Sequence, residues 1–191
     1  MIDKIKVAMK AKGYAFFENG DYNINIIGIR NSDTGSKVTN VFDDLLTVSY
    51  KIGDVWHFKK WAATTDPGTK GVKEFHNAQG VARLVPGQYR GSHAIGLHQG
   101  KYEALKQAKP VKVYRDANKD MTYDTKLITE GIYGINIHKA GADSTYVENW
   151  SEGCQVFKKS ADFDEFMGLV KKAATLHGNS FTYTLLESKD L

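Results

Sequence analysis

Short stretches of alternating apolar and polar residues, most of them closed by a glycine-containing turn, run through most of this 191-residue chain. Residues 23–30 alternate in this way, and two further stretches, 46–50 and 55–62, flank the turn Lys51-Ile52-Gly53-Asp54. A period of two residues is typical of a strand with one buried face, and a glycine turn between two such runs indicates a hairpin. The same reasoning predicts strands at 80–84, 87–90, 93–97, 110–114, 134–138, 155–157 and 181–186.

Helical spacing is confined to a few segments. Residues 2–12 carry Ile2, Ile5 and Met9 on one face and end before a glycine, and residues 160–177 repeat apolar positions at helical intervals. Residues 101–108 are predicted as a short helix or turn. Many short strands with few helices predict an α+β fold that is mainly β, a β-sandwich or barrel. The length suits a single domain over 1–191, with 1–20 as a helical N-terminal extension.

Charge and hydropathy exclude several classes of protein. The net charge is +4 without a dense block of Lys and Arg, so a nucleic-acid partner is not expected, because such binding requires a clustered basic face. No run approaches the roughly 18 apolar residues of a membrane span. The first residues also lack the apolar core of a signal peptide. We therefore expect a protein made in the cytoplasm, and the single cysteine excludes an internal disulfide.

That cysteine, Cys154, lies in a segment with the residue types of nucleophilic catalysis. A thiol is mostly protonated near neutral pH and needs a neighbouring base, and His138 ends a strand-like run upstream. Gly153 would let the backbone approach an oxyanion, to which the amides of Gly153 and Cys154 could donate. We predict Cys154 as nucleophile and His138 as general base, with a backbone carbonyl holding the useful tautomer. A structural, buried cysteine is the alternative.

The same segment resembles the catalytic motif of the L,D-transpeptidases, in which a strand-end histidine precedes Ser-His-Gly-Cys. The matching residues are Ile137-His138 and, after a polar loop, Ser151-Glu152-Gly153-Cys154. Residues 83–89 are similar to the Pro-Thr-Gly-x-Tyr/Phe segment of that family, and the wider pattern resembles proteins of phages and Bacteroidetes-type bacteria. Two positions depart: Glu152 replaces the second histidine, and Val156 replaces the usual Arg or Asn. The resemblance implies an L,D-transpeptidase-like fold and carries over the His–Cys pair.

By this resemblance the protein is a peptidoglycan-active enzyme, a lysin-like cysteine peptidase or transpeptidase acting on stem peptides. One alternative is a muramidase on the same fold, with Glu152 or another carboxylate as the acid. A second is a non-catalytic phage or cell-wall-binding module. Without a signal peptide, a holin or a secretion system would have to deliver the protein, which would act at the cell wall after release.

Further residues are predicted to bind ligands. His98, between two glycines, could line the substrate cleft, and Tyr89 and Trp150 could stack on sugar rings. A metal site built from His93, His98, His138 and Glu152 is an alternative, although no compact ligand motif such as HExxH is present.

The segment 116–124 has the spacing of a calcium loop. Oxygen-bearing side chains stand at its positions one, three, five and nine, but the sixth residue is Met121 rather than glycine and the twelfth is Leu127 rather than Glu. A tight polar turn is the alternative. We expect no required cofactor, with calcium as a structural ion if the loop binds it. The candidate ligands are Asp116, Asn118, Asp120 and Asp124.

Overall fold

The computed structural model describes residues 1–191 and shows a mainly β protein with few helices, as the sequence predicts. Eight strands close into a barrel, and three others form a separate sheet. No helix is both long and apolar enough to cross a membrane. In chain order the elements are α1 (Ile2–Ala11), β1 (Asn25–Arg30), β2 (Asp44–Ile52), β3 (Val55–Thr64), α2 (Thr69–Lys73), β4 (Val81–Leu84), β5 (Gly87–His98), β6 (Tyr102–Gln107), β7 (Val111–Asp116), β8 (Ile128–Gly131), β9 (Ile137–Lys139), β10 (Gln155–Phe157), α3 (Ser160–His177), β11 (Phe181–Glu187) and a short 3-10 helix (Ser188–Asp190).

The barrel has the strand order β1-β11-β5-β6-β9-β10-β3-β2. Most neighbours are antiparallel, but β1 pairs with β11 and β9 pairs with β10 in parallel. In the second parallel pair, Val156 lies opposite His138 and Gln155 lies opposite Ile137. This register brings the segment just before β10, which contains Cys154, beside the strand that carries His138.

Aromatic side chains fill the core between the barrel and α3. Phe157 from β10 lies 4.9 Å from Phe166 of α3 between ring centroids, and Trp61 of β3 lies 5.7 Å from Phe157. On the outside of the barrel, α1 covers β1 with Ile5 and Met9. Because α1 buries the outer face as well, β1 is buried along its whole length, which explains why its alternation is imperfect.

Three strand assignments differ from the sequence predictions. The helix or turn predicted for 101–108 is wrong, because residues 102–107 form β6 and pair with β5 across a tight turn, His98 opposite Tyr102. Strand pairing overrides the local preference there. The separate strands predicted at 87–90 and 93–97 form one strand, β5, which passes through Gly91 at φ 59°. The sequence did not predict β8, whose residues do not alternate clearly.

A buried ionic cluster joins the barrel to the three-stranded sheet β4-β7-β8. Asp66, just after β3, lies 2.8 Å from Nε of Arg30 at the end of β1. It also accepts two hydrogen bonds, at 2.8 and 3.1 Å, from Arg83 of β4. The two arginine side chains are only 2% and 7% exposed. Burial raises the pKa of Asp66, but the charges of Arg30 and Arg83 outweigh it, so the pKa lies below its ordinary value and the carboxylate is ionised.

Candidate active site

A cleft of about 650 Å³ opens beside the β9–β10 pair and the β5–β6 turn. Cys154 and His138 both line it, so the structure brings together the two residues that the sequence predicts as nucleophile and base. The full lining consists of His76, His98, Gln99, Lys101, Tyr102, His138, Asn149, Trp150, Glu152 and Cys154.

The thiol of Cys154 is protonated and donates a hydrogen bond to a backbone carbonyl oxygen. Its Sγ donates to the carbonyl oxygen of Gly134 at 3.2 Å. Burial and, to a smaller extent, the negative charge of Glu152 together raise the pKa of the thiol to about 11. The cysteine is therefore a neutral thiol at neutral pH, and it needs a base at the moment of attack.

His138 has the charge state of such a base and lines the same cleft, and no hydrogen bond joins its ring to the Cys154 thiol. Its Nδ1 lies 3.0 Å from the carbonyl oxygen of Lys139, which assigns the proton to Nδ1, and the backbone of Trp150 also contacts the ring. Burial and, after it, the neighbouring His98 lower the pKa of His138 to about 4, outweighing the contacts with backbone carbonyls of Lys139 and Trp150, which raise it. A neutral imidazole facing the same cleft as a neutral thiol favours proton transfer during attack, rather than a preformed thiolate–imidazolium pair.

Of the two backbone amides predicted to bind an oxyanion, those of Gly153 and Cys154, only one is free to donate. The Gly153 amide donates to Oγ of Ser151 at 3.0 Å, and Ser151 Oγ donates to the carbonyl of Cys154 at 2.8 Å. The amide of Cys154 donates no hydrogen bond within the protein. Of the two amides, only that of Cys154 can therefore serve an oxyanion without rearrangement, and the fully buried Ser151 holds the turn.

Glycine is required at position 153. Its φ is 147°, and a β-carbon there would stand 2.2 Å from the carbonyl oxygen of Ala82 in β4. Real side chains do not approach a backbone oxygen so closely, so the turn can pack against β4 only without a side chain. This contact fixes the cysteine-bearing turn between the barrel and the small sheet.

Glu152 lines the cleft and is held there by His76, another residue of the lining. Its Oε1 lies 2.5 Å from Nδ1 of His76, and its Oε2 accepts the His76 backbone amide at 3.3 Å. These two contacts with His76 hold the carboxylate in place. The side chain stays 30% exposed, so a ligand can still reach it.

The predicted substrate-binding residues divide between two places. Trp150 is 44% exposed at the rim of the cleft, and His98 lies inside it. Tyr89 lies away from the cleft: its hydroxyl donates to the carbonyl of Val85 at 2.6 Å, and its ring packs against the core. His93, a member of the alternative metal site, is buried in the barrel and bonds the carbonyl of Ile135, so it does not join His98 and His138.

Nothing in the sequence indicated that several of the cleft residues belong to the site. His76 follows α2 in a loop far from the motif, and Lys101 sits in the β5–β6 turn, so only the fold brings them to Cys154. Asn136 does not line the cleft but bonds His98, and its place two residues before His138 in an alternating run is a signal that could have identified it, because such residues share a face.

The acidic loop after β7 folds as a chain of polar turns. Asp116 accepts the Asn118 amide at 3.2 Å, Asn118 accepts the Asp120 amide at 3.0 Å, and Asp120 accepts the Thr122 amide at 2.8 Å. Asp124 accepts from the Asn118 side chain at 3.1 Å. No group of three or more His, Cys, Asp or Glu side chains is arranged to hold a metal.

Calcium binding at this loop stays a prediction. If the loop binds calcium, the melting temperature should fall in a chelator and recover when calcium is added, because an ion that binds only the folded state stabilises it by mass action. Thermal melts in chelator, calcium and magnesium would measure this. Identical melts in all three would leave only the polar turn.

The chain was compared with protein-family models, curated proteins and solved structures, and none of them matches.

Proposed function

We propose that this protein is a cysteine acyl-transfer enzyme with an L,D-transpeptidase-like fold that acts on the stem peptides of bacterial peptidoglycan. The observation that carries the proposal is the shared cleft of Cys154 and His138, in which the Lys139 carbonyl orients the imidazole as a base. The motif resemblance of residues 137–154 supports the choice of substrate.

In the proposed reaction, Sγ of Cys154 attacks an amide carbonyl while its proton passes to Nε2 of His138. The Cys154 amide binds the developing oxyanion. The tetrahedral intermediate then collapses: the carbon–nitrogen bond breaks, and His138 returns the proton to the leaving amine. The remaining thioester passes its acyl group to water, which is hydrolysis, or to a second amine, which is transpeptidation, and the thiol is regenerated.

Features outside the reacting pair fit a polymeric, polar substrate. The cleft is open and carries Trp150 and Lys101 as well as Glu152 at accessible positions. The net charge of +4 favours association with an anionic polymer such as a cell wall. Action at the wall after release, through a holin or a secretion system, belongs to this proposal.

Incubation with purified peptidoglycan tests the proposed reaction class. Mass spectrometry of the soluble fragments should show cleaved or exchanged stem peptides attached to intact glycan. Fragments with intact stems and shortened glycan would instead identify a muramidase. A protein that co-sediments with the wall and releases nothing would be a binding module.

Replacement of Glu152 by Gln distinguishes the cysteine mechanism from a muramidase mechanism. The muramidase is the second candidate because Glu152 lines the cleft and could act as its acid. We expect activity to be retained or to rise, because removal of the negative charge eliminates one cause that raises the pKa of the thiol. A glycosidase using Glu152 as its acid would lose nearly all activity, since an amide cannot donate that proton. Loss of turbidity of a cell-wall suspension provides the rate.

The matched control for this experiment is Glu103→Gln, a carboxylate paired with Lys171 and outside the cleft. It should leave the rate unchanged under either mechanism. A rate that falls in Glu152→Gln and stays normal in Glu103→Gln would count against the cysteine mechanism.

A further inference from the structure

His98 covers one face of the proposed catalytic base. The imidazole rings of His98 and His138 stack with their centroids 4.1 Å apart and their planes inclined by 18°. His138 is 4% exposed and His98 is 7% exposed, so the stack is shielded from solvent. A contact this close and nearly parallel restricts the rotation of the His138 ring about its side-chain bonds.

The ring of His98 is itself held by Asn136. The side-chain amide of Asn136 donates to Nδ1 of His98 at 3.2 Å, while its oxygen accepts the backbone amide of Gln107 at 2.9 Å. The Gln107 bond determines which end of the Asn136 side chain faces His98. With Nδ1 accepting, His98 is neutral and carries its proton on Nε2. Strands β5 and β6, together with the residue just before β9, thus determine the orientation of one ring.

Two stacked imidazoles resist protonation together. A proton on either ring places positive charge against the other, and burial removes the water that would otherwise stabilise it. The groups around the pair add to this: lysines of the β5–β6 hairpin lower the pKa of His98, and the only carboxylate that lines the cleft is bonded to His76. The titratable or charged groups that line the cleft with the pair or act on it are Lys101, Tyr102, Lys106, Glu152, Cys154 and His76.

We propose that His98 is a positioning residue for His138: its ring, held by Asn136, fixes the plane of the His138 imidazole and keeps it in the uncharged form that can accept the proton of Cys154. This role rests on the proposed function, in which His138 is the base. It assigns to β5, a strand distant in sequence from the motif, a part of the catalytic machinery.

Nitrogen NMR of the histidine rings tests the proposal without a substrate. In the wild-type protein His138 should keep a protonated Nδ1 and a bare Nε2 from pH 7.5 to pH 5.5. In His98→Ala we expect a mixture of tautomers and substantial protonation by pH 5.5, as the ring approaches the ordinary histidine pKa of about 6.5. His98→Phe should preserve the tautomer, because a flat ring remains, and should still be protonated at higher pH than the wild type.

The control is His57→Ala, which removes a histidine stacked on Tyr50, 5.2 Å between centroids, outside the cleft. It should leave the His138 signals unchanged. If His98→Ala does not fold, as its amide spectrum would show, His98→Phe carries the test alone. A His138 ring with wild-type tautomer and titration in the folded His98 variants would overturn the proposal.

A second readout connects the stack to catalysis. In the pH profile of kcat/KM on peptidoglycan fragments, the acid limb of His98→Phe should move to higher pH with little change in KM. If no peptide chemistry is found for the wild type, the proposed function fails while the NMR result still decides whether His98 positions His138. If peptide chemistry is found and the acid limb does not move, the proposed function stands and the role of His98 falls.

Discussion

Replacement of Cys154 by alanine is expected to lower the release of stem-peptide fragments from purified peptidoglycan by at least about a thousandfold. In the proposed reaction the thiol forms the acyl-enzyme, and His138 has no proton to accept without it. His138→Gln should cause a loss of similar size, because residues that act as a unit in covalent catalysis do not contribute additively. Mass spectrometry of fragments, normalised to protein concentration, provides the measurement.

The variant should keep its fold, since alanine removes one sulfur atom at the edge of a cleft and breaks a single weak hydrogen bond to Gly134. Equal melting temperatures would establish this. An acid quench during turnover should also trap an acyl group on the wild-type protein and none on Cys154→Ala. Undiminished fragment release by a folded Cys154→Ala variant would rule out the cysteine mechanism.

Replacement of Asp66 by asparagine is expected to destabilise the protein by about 3–5 kcal/mol. The substitution keeps the shape of the side chain but removes the carboxylate that contacts both buried arginines, Arg30 and Arg83, and leaves Asp44 as the carboxylate near them. Burying a charge without its ion-pair partner costs far more free energy of folding than an intact ion pair contributes, because nothing then compensates for the lost hydration. Urea unfolding followed by tryptophan fluorescence would give the free energy difference.

Asp164→Asn is the matched control for this measurement. Asp164 pairs with Lys139 at 3.3 Å, but its side chain is 67% exposed. Water and salt screen such a pair, so we expect a change below about 1 kcal/mol. Equal effects of the two substitutions would mean that the Asp66 cluster does not hold the small sheet against the barrel.

The spacing of apolar residues predicted helices and strands correctly where one face of the element is buried. The alternation in 46–50 and 55–62 predicts the hairpin of β2 and β3, and the helical spacing in 160–177 matches α3. The pattern failed at residues 101–108, where the requirement to pair with β5 overrides local preference, and at β8. Both failures concern strands whose identity depends on a neighbour that local pattern does not specify.

The sequence by itself indicated the candidate residues and much of their local structure: a lone cysteine after a glycine, a histidine in a strand-like run, and the period of most elements. Only the tertiary structure decided what surrounds them. Closure of the barrel stacks His98 on His138, brings His76 to Glu152, engages the Gly153 amide with Ser151 and turns Tyr89 away from the cleft. The physical reason is the distance along the chain over which each property is determined. Periodicity arises from neighbours a few residues apart, whereas charge state, tautomer and donor availability depend on burial and on contacts between residues far apart in the chain.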